Sequence, residues 1–246
     1  MIILKNKSEI EAMKEGGEIL KNILRHLASE IKPGITTLYL DKLAKELIKK
    51  NYGKPSFYKY YGFPANICTS INHEIVHGIP GEKILKNGDI ISLDVGLKYK
   101  GFHTDRAITI PVGKVKPIYL KLIDITKKAL EKAILKTKPG NHIGDISYII
   151  QKTIEDSGFE PVKECTGHGI GRNLHEDPPV PNFGKNGEGP IIKEGMTLAI
   201  EPMAIAGKAI IKTNEDNWTI STFDGSFAAH FEQTIAVNKN GCLILS

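Results

Sequence analysis

The sequence predicts a mixed α/β fold of two duplicated halves, an antiparallel sheet with helices packed outside it. The first observation behind this is the order of elements, α-α-β-β-β then α-α-β-β-β-β, read from helical and two-residue apolar periods. The second is a set of motifs that recur in the same order. Lys32-Pro33-Gly34 returns as Lys138-Pro139-Gly140, each time between two helices. Lys86-x-Gly88-x5-Asp94 returns as Lys193-x-Gly195-x5-Glu201, and His77-x-x-Pro80 as His175-x-x-Pro178. The halves run roughly over 1–112 and 113–246, and the shift in offset puts the extra residues in the glycine-rich segment 182–189. No linker composition separates them. A single domain over 1–246 is therefore expected, with a pseudo-twofold axis and any shared site between the halves.

Each element has its own signal. Ser8 and Glu11 have capping-box spacing, and Ile10, Met13, Leu20, Ile23, Leu24, Leu27 and Ile31 recur on one helical face. Lys32-Pro33-Gly34 stops that helix. Leu40, Leu43, Leu47 and Ile48 mark a second, ending near Gly53. Strands follow around 67–75, 89–97 and 102–111. Helices return over 118–135 and 143–157. Strands then cover 196–200, 209–211, 218–221 and 227–237, and Asp224-Gly225 suggests a hairpin between the last two.

Composition narrows the class. Of 246 residues, 41% are hydrophobic and 25% charged, an ordinary globular balance that excludes disorder. The net charge is +5, yet only Arg25, Arg106 and Arg172 are guanidinium residues, too few for a sequence-reading nucleic-acid binder. No apolar run is long enough to span a bilayer, and no signal-peptide core follows the N-terminus. Cys68, Cys165 and Cys242 are widely spaced and form no CxxC pair, so a reducing cytoplasm is the expected compartment.

The chemistry lies in the carboxylates. Asp94 and Asp105 sit on consecutive strands, and a turn at Tyr99-Lys100 would place them directly opposite each other. Like charges so placed repel, and a cation between them resolves the conflict. Alternatively one Asp is exposed, or Arg106 supplies the charge, although its neighbouring position points it to the other face. Glu201 ends the apolar strand MTLAIEP, where Pro202 holds it extended, and Glu232 lies inside FAAHFEQTIAV. Four separate buried ion pairs would also accommodate these groups, but three Arg are a short supply of partners. His168 sits between glycines in CTGHGIGRNLHEDPP, seven residues before His175. One imidazole with four carboxylates suits two divalent cations of the Co, Mn, Fe or Zn type. Two such ions sharing a water lower its pKa toward neutrality, which makes hydrolysis the natural chemistry.

These residues resemble a known family. HGIP at 77–80, SLDVG, GFHTD, GHGIGRNLHEDP, AIEPM and FEQT are similar, in order and over the whole chain, to type I methionine aminopeptidases of the short bacterial form. The resemblance implies the pita-bread fold and removal of the N-terminal Met from nascent chains with a small second residue. It implies metal ligation by Asp94, Asp105, His168, Glu201 and Glu232, with Glu201 also a candidate general base. His77 and His175 would contact substrate and assist proton movement or stabilise the tetrahedral intermediate. Tyr60, Phe63, Cys68 and Trp218 would line the Met pocket, although loop packing alone would also account for Tyr60 and Phe63. Leu174 stands where bacterial relatives often carry Phe, and Val76 where Cys is frequent, so the pocket shape is expected to differ. Two other readings compete. One is an Xaa-Pro aminopeptidase or dipeptidase of the same architecture, which usually carries an added N-terminal domain. The other is a non-catalytic homologue that binds RNA or protein, which would have lost metal ligands. A monomer is expected, and the +5 charge suits a transient, salt-sensitive ribosome contact.

Overall fold

The computed structural model describes residues 1–246. In the first half, α1 (Lys7–Ser29) and α2 (Thr37–Lys50) lead into β1 (Lys54–Pro55), a short 3-10 turn (Tyr60–Gly62), β2 (Cys68–Ile71), β3 (Glu74–Val76), β4 (Ile90–Tyr99) and β5 (Phe102–Pro111). The second half begins with α3 (Pro117–Lys136) and α4 (Ile143–Glu155), followed by β6 (Glu160–Pro161), β7 (Thr166–Gly169), β8 (Glu176–Pro181) and β9 (Thr197–Ile200). It ends with β10 (Met203–Ile205), β11 (Ile211–Thr213), β12 (Ile220–Thr222), β13 (Ala228–His230), β14 (Glu232–Asn238) and β15 (Gly241–Ile244). No helix is long and apolar enough to cross a membrane.

Nine strands form one antiparallel sheet in the order β1-β4-β5-β14-β9-β7-β8, with β2 added on β4 and β15 on β14. Each half buries its own apolar layer under its own helices. Leu20, Leu24, Leu40 and Ile48 cover Leu93 and Val95, while Leu122, Ala129, Ile146 and Ile150 cover Leu198 and Ile235. The repeated motifs perform the same task twice. Gly34 N–H donates to Leu85 O, and Gly140 N–H to Ile192 O; both glycines have positive φ (97° and 90°). The isolated bridges Thr36–Ile84 and His142–Ile191 complete the correspondence.

β5 and β14 meet at the seam between the halves, where Ala107 pairs with Glu232 and Arg106 with Gln233. Beyond these pairs the strands separate and threonine hydroxyls close the gap. Thr234 Oγ1 accepts from Asp105 N–H (2.8 Å) and donates to Asp105 O (2.9 Å). Thr109 Oγ1 does the same for His230, at 2.8 and 2.9 Å. The bonds on either side of the Ala107–Glu232 pair are related by a local twofold.

Several expectations are corrected. The cap of α1 is Asn6, whose box closes with Glu9, not Ser8 with Glu11. The β4–β5 turn lies at Lys100-Gly101, both with positive φ (46° and 87°), so Asp94 faces Ala107 and Asp105 faces Gly96. Such a two-residue hairpin needs φ > 0 at both central positions, which glycine meets without steric cost. The segment 67–75 divides into β2 and β3. Asp224-Gly225 closes no hairpin, because β12 pairs with β3 and β11, and β13 pairs with β10.

Candidate metal centre and its cavity

The two-residue register shift leaves Asp94 and Asp105 on the same face, because side chains two apart on a strand point the same way. Asp94 has Ala107 on one side and Cys68 on the other. Glu201 follows β9 directly, and Glu232 opens β14. His168 lies on β7, paired with Ala199, and its Nδ1 is 2.9 Å from Gly169 O, which leaves Nε2 for the site. Asp105, His168 and Glu232 each bring one donor atom within 4.8 Å of the others, as do Glu201, His230 and Glu232. All eleven residues named from sequence (Tyr60, Phe63, Cys68, His77, Asp94, Asp105, His168, His175, Glu201, Trp218 and Glu232) line one cavity of about 260 Å³.

Its electrostatics are those of a cation site. No Lys or Arg lines the cavity; Arg106 faces a separate groove with Ile123 and Lys127. Burial pushes Glu201 up to about 8. Asp94 rises to about 7 through burial, which His230 opposes and Glu201 reinforces. Asp105 is held well above the usual carboxylate range by burial and then by Asp94 and Glu201, and Glu232 by burial and then by Asp105, Glu201 and Asp94. Burial lowers His168 to about 3, with His175 adding to the shift, and lowers His77 to about 4, with His230 and His175 adding. Neutral imidazoles keep a lone pair for ligation. Asp94 Oδ1 and Glu232 Oε1 are buried without a hydrogen-bond partner. Orphaned carboxylate oxygens in an oxygen-rich set fit divalent cations.

Part of the cavity lining is apolar. Phe63 packs edge-to-face on Trp218 (centroids 5.2 Å apart), with Phe57, Cys68 and Leu174 beside them. At the mouth, Tyr60 Oη lies 3.1 Å from His175 Nδ1, and the His175 ring stands edge-on to His168 at 4.3 Å. Phe57, Tyr61 and Leu174 complete the lining. Sequence reasoning missed His230 altogether. Its only signal was position, two residues before Glu232; in the structure the strand breaks at Phe231 between them.

Comparison with known proteins places this geometry. The model of metallopeptidase family M24 matches residues 11–239. The chain belongs to this family. Among curated members of M24, methionine aminopeptidase 1 of Bacillus subtilis is 47% identical over 246 residues, covering 100% of this chain and 99% of its own length. The methionine aminopeptidase of Clostridium perfringens is 48% identical with the same coverage. A crystal structure of methionine aminopeptidase from Thermotoga maritima matches with TM-score 0.98 at 45% identity, covering 100% of this chain and 99% of that one. The prolidase of Pyrococcus horikoshii, at 23% identity and TM-score 0.79, shares the fold, and this chain covers 63% of it. The architecture is the pita-bread fold, and M24 members are metallopeptidases.

Proposed function

We propose that the protein is a methionine aminopeptidase, hydrolysing the N-terminal Met from polypeptides with a small second residue. One observation carries the reading: the carboxylate–imidazole cluster and an aromatic, thiol-lined slot share a single cavity, in a chain 47% identical over its full length to a methionine aminopeptidase. Phe63, Cys68 and Trp218, with Phe57 and Leu174, would hold the Met side chain, whose thioether gains from aromatic edges. Asp94, Asp105, His168, Glu201 and Glu232 would hold two divalent cations of the Co, Mn, Fe or Zn type. When bound, these ions would neutralise the carboxylates and lower the pKa of a water at the site. Glu201, a largely buried residue of the cavity lining, would take a proton from the attacking water. His77 and His175 face the scissile carbonyl from the mouth and stabilise its developing negative charge. Tyr60 orients His175 by occupying Nδ1, which leaves Nε2 toward the substrate.

The rest of the reading follows from the activity. The protein acts in the cytoplasm as a monomer, as one catalytic domain of two halves, and its net charge of +5 favours a transient, salt-sensitive encounter with the ribosome. The test is to chelate the protein, restore Co, Mn, Fe or Zn, and offer Met-Ala-Ser, Met-Lys-Ser and Ala-Pro. Metal-dependent release of Met from Met-Ala-Ser above the other two is expected. Equal or faster cleavage of Ala-Pro would favour an Xaa-Pro peptidase, and no cleavage in any metal a binding role.

A further inference from the structure

His230 stands outside the ligand set that sequence motifs supply, yet the seam aims it at the same centre. Its backbone is held on both sides by Thr109, as that of Asp105 is held by Thr234. The local twofold therefore exchanges positions 105 and 230, and each directs a metal-competent side chain to the face carrying Glu232. The His230 ring is buried (1% exposed), and neither ring nitrogen has a hydrogen-bond partner. Nε2 lies 3.2 Å from Glu201 Oε2, and Glu201, His230 and Glu232 form one of the two donor sets within 4.8 Å. A buried imidazole with Nδ1 unpartnered and Nε2 beside a carboxylate without a formed hydrogen bond is costly unless something uses these nitrogens.

We infer that His230 is a sixth metal ligand, adding a second nitrogen donor to the centre beside Glu201 and Glu232. The inference rests on the metallopeptidase reading but not on the identity of the peptide substrate. The centre then offers two imidazoles, His168 and His230. A nitrogen donor raises the preference of that position for Co or Zn over Mn, because imidazole suits the later metals and carboxylate alone the harder ones.

The test uses the whole protein and CoCl2, without peptide. Proton NMR of the cobalt-loaded protein should show two strongly shifted exchangeable ring N–H signals, one each from His168 and His230. Their Nδ1 protons survive exchange because one is bonded to Gly169 O and the other is buried. His230→Gln should leave one signal, weaken the second cobalt at least tenfold by calorimetry, and change Mn binding less. In the unsubstituted protein, zinc should shift a His230 ring nitrogen in 15N spectra, a readout that does not depend on the variant folding. Unchanged signals and cobalt affinity in His230→Gln, or an unmoved His230 nitrogen under zinc, would overturn the assignment. Cleavage of Met-Ala-Ser by the unsubstituted enzyme is read separately, so a wrong ligand and a wrong substrate give different results.

Discussion

His77 shows how much local strain one position in this site accepts. Its φ of 59° is left-handed, a region costly for a residue with a Cβ, and Gly78 beside it passes so close to β2 that a Cβ there would lie 2.2 Å from Thr69 O. The tight corner places the imidazole on the lining of the cavity but outside both metal-competent donor sets. His77→Ala should therefore keep its metal and lose about 10²–10⁴ in kcat, the usual contribution of a positioned proton-handling group. Metal analysis beside peptide kinetics checks this, and unchanged turnover would remove His77 from the chemistry. Asp105→Ala should behave in the opposite way. Its backbone bonds to Thr234 do not involve the carboxylate, so the seam and the fold persist while metal binding and turnover are lost. Circular dichroism together with metal content decides it, and retained activity would show that Asp105 is no ligand.

Among the elements, the segment before α1 carries a cost that its exposure does not suggest. Lys5 donates to Glu176, and both side chains are 2% exposed. Glu176 follows His175 and also accepts from Asn173 N–H, while Lys5 N–H donates to Gly195 O. A Cβ on Gly171 would fall 2.3 Å from Lys5 Cε, so glycine makes room for the lysine stem. Removing one partner of a buried pair strands the other charge. Lys5→Met should cost about 3–5 kcal/mol in urea unfolding; a loss no larger than that of an exposed ion pair would show that Glu176 finds another partner. This pair was not legible in the sequence, because nothing local links positions 5 and 176. What could be read followed the range of the signal. The four helices and the β4–β5 hairpin have long periods, and the eleven cavity residues sit in distinctive motifs. The two- to four-residue strands β1, β6 and β10 have no period to detect and exist only through partners far along the chain. The β4–β5 register was misjudged by placing the turn one residue before Lys100-Gly101. His230 was hidden because FAAHFEQT reads as one apolar strand until the break at Phe231 is known.

At the scale of the whole molecule, the joining of the halves concentrates opposing titrations at one centre, and their balance predicts a pH profile. Burial raises four carboxylates, Asp94 to about 7, Glu201 to about 8, and Asp105 and Glu232 in the same direction. Their contribution to stability is full below the unfolded carboxylate pKa, near 4, and is lost as pH rises through the folded values. Burial also lowers five histidines, His77, His103, His168, His175 and His230, with His77 and His103 near 4 and His168 near 3. For these the unfolded state binds more protons below about 6.5, so their contribution grows as pH rises to that value. Between about pH 4.5 and 6.5 the two sets oppose each other and the metal-free protein should change little in Tm. Above 6.5 the histidines no longer contribute to the slope, and Tm should fall toward pH 8. Divalent cations bind the ionised carboxylates, so saturating cobalt or zinc should raise Tm more at pH 8 than at pH 6, by mass action on the folded state. Scanning calorimetry of chelated and metal-loaded protein at the two pH values measures both arms. A metal increment that is equal at pH 6 and pH 8, or a metal-free Tm that rises across that interval, would show that the buried carboxylates are not what the metal neutralises.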